Sequence, residues 1–345
     1  MIMTATSQAS ALEGGRLRPM DPGRDLKAIT DLITAGFAQR LDARAQAALR
    51  ELRWMARLWP LLGWWAQADP AFREAFTGFV WEEPAAQGRK SQVVGNVSLN
   101  RAPGNRQQRI ICNVVVREDY RRRGIARKLT TAALQEAERL GAAGVLLQVY
   151  EDNLPALRLY NDLGFREVAG EVEMRLDVVR PVAVLDAPDY YFRPWKVEDG
   201  PAAQSLAHQA RPQPLQWLRP IPANAYDPPW GVRLGERWRA LWGGQQTHRV
   251  VALQGERLVA LLTLRLASQS GRHRLEVLIR PDRRGPLEAA LVSRALHMLS
   301  TAAPRPVEMT MDKDHKTLVE TLQSYGFKVQ STLLTLQRPW RTGEA

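Results

Sequence analysis

The second half of this 345-residue chain repeats landmarks of the first half. The run 279–284, Ile-Arg-Pro-Asp-Arg-Arg, echoes the run 116–121, Val-Arg-Glu-Asp-Tyr-Arg. The pair Gly326-Phe327 echoes Gly164-Phe165, and both pairs of landmarks lie about 160 residues apart. Two copies are too few for a solenoid, so we expect two tandem domains of the same fold.

The domain bounds follow from this repeat and from one stretch without periodicity. Residues 180–189 contain two prolines and no helical or strand-like spacing, which is typical of a linker. We predict a disordered tail over 1–15, a first domain over 16–180, a linker over 181–189 and a second domain over 190–345.

Apolar residues in the first half alternate between strand-like and helix-like spacing. Strands are predicted at 15–20, 78–83, 91–99, 109–116, 145–149 and from residue 165 onward. Helices are predicted at 25–38, 43–58, 124–140 and 153–164. The predicted fold class is α/β with a mixed sheet of the α+β kind: in each half, a twisted central sheet carries helices on both faces.

Composition narrows the class of protein. With 45% hydrophobic and 24% charged residues the chain resembles an ordinary globular protein. The apolar stretch around 59–65 is too short to span a bilayer, and the first residues lack a signal-peptide pattern. Cys112 has no second cysteine to pair with, which fits a reducing compartment. We therefore expect a cytoplasmic protein without membrane contact.

The net charge of +12 raises the question of a nucleic-acid partner. The basic residues are mostly arginines, they are scattered, and no recognised nucleic-acid motif accompanies them. We therefore do not expect nucleic acid as a partner, although a positive surface would attract polyanions in general.

One loop carries the pattern of a phosphate site. The predicted strand 109–116 leads into a tight loop that opens the helix from Gly124, and the first amides of a helix have no partner inside it. Such amides suit a pyrophosphate, and a glycine lets the phosphates approach the backbone. The loop residues are Arg121, Arg122, Arg123, Gly124, Ile125 and Ala126.

Two runs of residues resemble a known family. The run Arg121-x-x-Gly124-x-Ala126 resembles the acyl-CoA signature of the GNAT N-acetyltransferases. The run 153–165, Asn-Leu-Pro-Ala-Leu-Arg-Leu-Tyr-Asn-Asp-Leu-Gly-Phe, resembles the second signature of that family at the usual distance. The resemblance covers about residues 90–178. It implies an enzyme that transfers an acetyl group from acetyl-CoA to a primary amine of a small molecule or peptide, without a metal.

The resemblance also implies roles for single positions. The backbone amides of 122–126 would hold the pyrophosphate of acetyl-CoA, beside the charge of Arg121. Backbone groups of Val114 and Val116 would pair with the pantetheine arm, and an amide there would polarise the thioester carbonyl. Asn153 would hydrogen-bond the coenzyme arm, or act only as a helix N-cap. Tyr160 would protonate the leaving thiolate after direct attack by the amine in a ternary complex.

The general base is missing from the expected place. Many family members carry a glutamate early on the strand before the phosphate loop, whereas residues 109–113 here contain no carboxylate. Glu82, Glu151, and a water held by Asn113 or by backbone carbonyls stay open as alternatives. So does a histidine from the second half, where all histidines lie: His208, His248, His273, His297 and His315.

Several aromatic and sulfur-containing residues have two readings. Tryptophans that could form the wall of an acceptor site are equally suited to packing between domains. These are Trp54, Trp59, Trp64, Trp65 and Trp81. Cys112 lies in an apolar strand and is expected to be a buried small hydrophobe rather than a nucleophile.

The second copy of the loop looks degenerate. Leu287 stands where Gly124 stands, Pro286 lacks an amide donor, and Leu322 takes the place of Tyr160. We expect the Leu287 side chain to point toward the phosphate site and this copy to bind the coenzyme poorly. A non-catalytic acyl-CoA sensor or an interaction scaffold is the rival hypothesis for the whole chain. The acceptor, the acyl preference and the oligomeric state stay open.

Overall fold

The computed structural model describes residues 14–36, 50, 54, 76–84, 91–227, 246–267 and 271–340. Grouped by their contacts, these residues form two compact units. The first contains the residues up to Leu147, the segment 158–166 and the end of the chain from Gln337. The second contains 148–157 and 167–336. Among the described residues, no helix is long and apolar enough to cross a membrane.

The first unit is built on strands that follow one another in space as in sequence. The strands are β1 (Arg16–Pro19), β2 (Gly78–Glu83), β3 (Gln92–Ala102), β4 (Asn105–Val116) and the start of β5 (Gly144–Tyr150). Strands β1 to β4 are antiparallel, and β4 pairs with β5 in parallel. The helices are α1 (Pro22–Gly36), α2 (Ile125–Arg139) and the last part of α3 (Leu154–Asp162).

Helices α1 and α2 each bury one apolar face. In α1, Ile29, Leu32 and Ile33 pack against Val80 and Val115 of the sheet. In α2, the buried positions recur at helical spacing. They include Ile125, Leu129, Ala133 and Ala137. Leu140, the last residue of the predicted helix 124–140, is exposed, and α2 ends before it at Arg139.

The second unit contains the remaining strands in the order β12-β6-β11-β10-β9-β8-β7. They are β6 (Arg166–Leu176), β7 (Tyr191–Pro194), β8 (Gln246–Gln254), β9 (Arg257–Leu266), β10 (His273–Ile279), β11 (Val307–Asp312) and β12 (Lys328–Pro339). Its helices are α4 (Gly200–Ala210), α5 (Gln213–Leu218), α6 (Glu288–Ser300) and α7 (Lys316–Ser324). Helices α6 and α7 pack with the strands in one large apolar core, and α4 packs with β8 and β9 in a smaller one.

Each compact unit takes a segment from the other half of the sequence. Strand β6 precedes the predicted linker, yet its second half, from Glu171 to Leu176, pairs with β11 of the second unit. At the other end of the chain, the Trp340 amide donates to the Ala143 carbonyl at 3.3 Å, inside the first unit. The predicted bounds 16–180 and 190–345 therefore describe the sequence repeat, and as limits of independent domains they stay a prediction.

The repeat is visible in the backbone angles of the two copies. Arg117 and Arg280 precede short 3-10 helices with φ/ψ of −54°/141° and −53°/135°. Gly164 and Gly326 follow α3 and α7 with φ of 86° and 88°. The conformations agree even where the side chains differ, which supports two copies of one fold.

A partly buried arginine, Arg18, joins the first strand, the first helix and the second strand. Arg18 donates to both carboxylate oxygens of Asp25 at 2.6 and 2.7 Å and to Glu82 at 2.9 Å. Asp25 and Glu82 are buried. Burial alone would raise the pKa of Glu82, but the hydrogen bonds from Arg18 and Arg16 outweigh it and lower this pKa to about 2. The second copy keeps the Arg18 motif as a two-bond contact from Arg193 to Asp199, at 2.8 and 2.7 Å.

Replacing this arginine tests its role in stability. Arg18→Met would leave two buried carboxylates without their main partner, and we expect a loss of about 3–5 kcal/mol in the free energy of unfolding in urea. The control is Arg16→Met, which removes a largely exposed partner of the same Glu82 and should cost under about 1 kcal/mol.

The same pair of variants gives a pH dependence. The pKa of Glu82 is depressed in the folded protein, so its contribution to stability is present above the ordinary value of 4.5 and is lost as the pH falls toward 2. The difference between wild type and Arg18→Met should therefore shrink over that range. A difference that is constant from pH 7 to pH 3 would contradict this assignment.

Candidate active site

Strand β4 continues beyond its pairing with β5. The parallel pairing covers Gln108 to Ile111 on β4 and Gly144 to Leu147 on β5, whereas β4 runs on to Val116. On the other edge the pairing with β3 shifts register, because Asn96 faces Val115 and Ser98 faces Cys112.

This shift makes a bulge in β4 at Asn113 and Val114, which together lie opposite Val97. Asn113 has a φ of 54°, in the left-handed region that asparagine tolerates better than most residues. The bulge bends β4 at the point where its pairing with β5 has ended. Val114 and Val116, the predicted backbone partners of the pantetheine arm, lie on this extension.

The predicted phosphate loop follows directly. After a 3-10 turn at Glu118–Tyr120, Arg122 and Gly124 both adopt left-handed backbone angles, with φ of 62° and 75°. Helix α2 then begins at Ile125 without any side-chain cap on its first amides. A Cβ added to Gly124 would find nothing within 4 Å. The loop thus presents free helix amides beside open space, which is the arrangement an anion requires.

The arginines of the loop divide between holding the backbone and facing solvent. Arg121 donates to the Val116 carbonyl at 3.2 Å, and Arg123 donates to the Asp119 carbonyl at 3.0 Å. Arg123 also lies over the Tyr120 ring, 4.7 Å from its centroid. Arg122 is exposed and has no hydrogen bond or ion pair within the described part of the chain. This cation is therefore available to a bound anion.

The structure thus brings the predicted loop positions 121–126 together on one turn. Ile125 is buried, so it can offer only its backbone amide, whereas Ala126 is small and partly exposed. The loop amides and Arg122 are suitable donors for a pyrophosphate, and the open space at Gly124 leaves room for it. Their role in binding a coenzyme stays a prediction.

Tyr160 lies on α3 with its ring buried against Phe165, at a centroid distance of 5.9 Å and an edge-on angle. Burial raises the pKa of its hydroxyl to about 12. The hydroxyl has no hydrogen-bond partner among the described residues. An ion pair of 2.6 Å between Arg127 and Asp162 joins the first turn of α2 to the end of α3. Tyr160 is therefore a protonated donor on a helix tied to the loop helix.

Asn153 belongs to the segment that groups with the second unit. Its side-chain oxygen accepts from the Ala156 amide at 3.4 Å and its carbonyl accepts from the Leu157 amide at 3.0 Å. The N-cap role is therefore present in the structure. The role of Asn153 toward a coenzyme stays a prediction.

Two candidates for base or nucleophile lose their support. Glu82 has a pKa of about 2 and is held by arginines, so it is a poor proton acceptor. Burial raises the pKa of the Cys112 thiol to about 12, so it is not a thiolate nucleophile. Glu151 is exposed at the end of β5.

The remaining candidates are the histidines, as a general base, and the tryptophans, as the wall of an acceptor site. The five histidines are in the second unit, where His273 and His315 are buried and paired. Trp81 is also buried, with Lys128 over its ring, so it does not form an open wall. Trp54 is exposed, and Trp59, Trp64 and Trp65 lie outside the described residues.

Sequence reasoning missed the polar side chains that surround the bulge. Asn96, Ser98 and Asn100 alternate along β3 among apolar neighbours, and Asn96 is fully buried. The side-chain amide of Asn96 donates to the backbone carbonyl of Asn113 at 3.1 Å, and the side-chain amide of Asn113 donates to the Ser98 hydroxyl at 3.3 Å. The sequence signal was available as a period of two in polar residues, which places them on one face of a strand.

In the second copy of the loop, a carboxylate of the chain itself bonds to the loop backbone. Glu288, the first residue of α6, turns back so that both carboxylate oxygens accept from the Gly285 amide, at 2.8 and 2.9 Å. His315 contacts the same carboxylate at 2.7 Å, and both side chains are buried. Burial would raise the pKa of Glu288, but the hydrogen bonds from His315 and from the backbone of Gly285 leave it below its usual value.

Leu287 corrects one expectation about this copy. Its side chain is fully buried in the apolar core of the second unit, so it does not point toward a phosphate site. Its φ is −97°, whereas Gly124 in the first copy has 75°. The degenerate loop therefore differs in backbone conformation and in an internal carboxylate, not in a protruding leucine.

Comparisons with known proteins agree with this geometry. Residues 46–165 match the model of the acetyltransferase (GNAT) family, and this range includes the loop and Tyr160. A mycothiol acetyltransferase of Brachybacterium faecium is 31% identical over 176 residues, which are 49% of this chain and 46% of that protein. A ribosomal protein bS18 alanine N-acetyltransferase of Escherichia coli is 40% identical over 55 residues, 16% of this chain and 37% of that protein.

A solved structure extends the likeness in fold to almost the whole chain. A GCN5-related N-acetyltransferase from Sphaerobacter thermophilus has a TM-score of 0.59 with 17% identity, covering 97% of this chain and 98% of that one. At this identity the likeness concerns the fold alone. By sequence, the chain spans less than half the length of the two curated relatives named above.

Two glycines at opposite ends of α2 provide a matched test of the loop. Gly124 and Gly141 have φ of 75° and 68°, and neither would bring a Cβ within 4 Å of another atom. Substituting alanine should cost each site a similar roughly 1–2 kcal/mol of strain. Gly124→Ala should also weaken the binding of acetyl-CoA, measured by calorimetry, by at least about tenfold, because the new methyl group occupies the approach of the phosphates. Equal affinities for both variants would remove Gly124 from the binding site.

Proposed function

Because its N-terminal half carries a domain of the acetyltransferase (GNAT) family, we propose that this chain transfers an acetyl group from acetyl-CoA to a primary amine. The observation that supports this most is the loop at 121–126, with uncapped helix amides, open space at Gly124 and an exposed arginine. The pyrophosphate of acetyl-CoA would lie on the amides of 122–126, beside Arg121 and Arg122.

The pantetheine arm would run along the extension of β4, with Val114 and Val116 as backbone partners in the manner of an added strand. In the proposed reaction the amine nitrogen attacks the thioester carbon and forms the new C–N bond. The C–S bond then breaks, and the thiolate takes the proton of the Tyr160 hydroxyl.

The properties of Tyr160 support its role as the acid. With a pKa of about 12, its hydroxyl keeps its proton throughout the physiological range. A hydroxyl without a partner among the described residues can turn toward a sulfur without breaking an existing bond. A water held by Asn113 or by backbone carbonyls would accept the proton of the attacking amine.

The acceptor is proposed by chemical class alone. The two curated relatives are named for acetylation of mycothiol and of an alanine of ribosomal protein bS18. We propose a primary amine of a small molecule or peptide, in the cytoplasm, without a nucleic-acid partner. The lone Cys112 supports a reducing compartment.

The contribution of Tyr160 can be measured by removing one oxygen. Tyr160→Phe should lower kcat by roughly 10²-fold or more while the affinity for acetyl-CoA stays the same, because only proton transfer is lost. The control is Tyr325→Phe, which alters a partly buried tyrosine of the second unit. If Tyr160→Phe turns over as fast as the wild type, the acid role is excluded. If the wild type binds acetyl-CoA but transfers no acetyl group to any of a panel of amines, the acyl-CoA sensor is favoured.

The second copy gives a prediction for stoichiometry. Since the Glu288 carboxylate already occupies the Gly285 amide, calorimetry on the full chain should find one acetyl-CoA per chain. Arg122→Glu, which reverses the exposed charge of the first loop, should remove this signal entirely rather than halve it. Two equivalents bound, or half of the signal left in the variant, would show that the second copy also binds.

A further inference from the structure

The bulge in β4 is held by a side chain from the neighbouring strand. The Asn96 side chain of β3 donates to the carbonyl oxygen of Asn113 at 3.1 Å. Asn96 is fully buried, so this bond has no competition from solvent. Its position is fixed because Asn96 pairs with Val115, the residue directly after the bulge.

Fixing the Asn113 carbonyl also fixes the next amide. A trans peptide is planar, and its C=O and N–H point in opposite directions. The carbonyl of Asn113 and the N–H of Val114 belong to one peptide, and no peptide is cis among the described residues. The bond to Asn96 therefore turns the Val114 N–H to the opposite side, away from Asn96.

A second anchor holds the same turn. Asn113 has a left-handed φ of 54°, and its side-chain amide donates to the Ser98 hydroxyl at 3.3 Å and approaches the Cys112 sulfur at 3.8 Å. Both the main-chain carbonyl and the side chain of Asn113 are thus bound to groups of the sheet. The peptide that carries the Val114 N–H has little freedom to rotate.

We propose that Asn96 is a positioning residue for acetyl transfer, which orients the Val114 N–H toward the carbonyl oxygen of the bound thioester. The inference rests on the proposed function and assigns a role within it. When the amine attacks, electron density moves onto this oxygen, and the Val114 N–H donates to it without transferring its proton. The density returns when the C–S bond breaks. Asn96 touches neither reactant and acts through the Asn113 peptide.

The surroundings of Asn96 argue against a role in stability alone. Its side-chain oxygen is buried and has no hydrogen-bond partner among the described residues, which is a cost that folding would avoid. Its neighbours Val94 and Val97 are fully buried, so an apolar β-branched residue would suit this strand better. The donor that reaches the bulge is the group that distinguishes asparagine from such a residue.

The chain offers a control on the same strand. Asn100 has the same alternation in β3, and its buried side-chain oxygen also has no hydrogen-bond partner in the part of the chain that the structure describes. Its amide, however, donates to the Cys112 sulfur at 3.4 Å and not to the bulge carbonyl. Asn96→Ala and Asn100→Ala therefore remove the same group, and only the first releases the Asn113 peptide. Asn96→Val is a second variant, whose apolar side chain suits a buried strand position and cannot donate a hydrogen bond.

The experiment uses the full chain, with kinetics and infrared spectroscopy of acetyl-CoA labelled with ¹³C at the thioester carbonyl. In Asn96→Ala and Asn96→Val we expect kcat to fall roughly tenfold to a hundredfold while the calorimetric affinity for free CoA stays within about twofold. The labelled band, which a hydrogen bond shifts to lower frequency in the wild type, should return toward its position in water. Asn100→Ala should keep the wild-type band and kcat.

The other outcomes contradict either the role of Asn96 or the proposed function. A wild type that binds acetyl-CoA without any shift of the band overturns the role of Val114, and with it that of Asn96, while the proposed function stands. Asn96 variants that bind CoA and keep both band and kcat overturn the role of Asn96 alone. An equal fall in kcat and an equal shift of the band in Asn100→Ala would assign the effect to strand β3 in general, and would also overturn the role of Asn96. A wild type that binds neither CoA nor acetyl-CoA overturns the proposed function.

Discussion

Backbone amides need partners, and the two copies of this fold satisfy that requirement differently. In the first copy, β4 runs past its pairing with β5 and α2 begins without a cap, so donors are left at the strand edge and at the helix start. In the second copy, the Glu288 carboxylate accepts from the loop backbone. The amides of the first loop are therefore open to an outside anion, whereas the Gly285 amide of the second loop already bonds to a carboxylate of the chain itself.

Sequence reasoning succeeded where the signal is local. The loop at 121–126, the face of α2 and the start of α3 depend on residues a few positions apart, and a glycine or a proline marks each boundary. Strand β2 was predicted residue for residue as Gly78–Glu83. These parts needed no knowledge of which strand lies beside which.

The missed parts depend on partners far away in the chain. Strand β6 has an ordinary strand pattern, and only the tertiary structure shows that it pairs with β11. The bulge at Asn113 exists because the registers of β3 and β4 differ by one residue, which neither strand reveals alone. Glu288 and His315 meet from different helices, and Leu287 turned inward because its φ is negative. Local patterns cannot specify contacts that chain folding brings together.

The charged residues of the site lie on the loop, apart from the neutral groups that would act on the thioester, and this separation has a physical reason. Full positive charges lie on the loop, at Arg121 to Arg123, where solvent screens them and a pyrophosphate can meet them. The groups around the bulge and at Tyr160 that would act on the thioester are neutral: the hydroxyl of Tyr160 with a pKa of about 12, the thiol of Cys112 with a pKa of about 12, and the side-chain amides of Asn96 and Asn113. A thioester carbonyl gains charge only while it reacts, so fixed dipoles stabilise the transition state more than the ground state. A permanent charge in a buried place would need a counter-ion of its own, as Glu82 does with its arginines, and would then be too firmly held to follow the reaction.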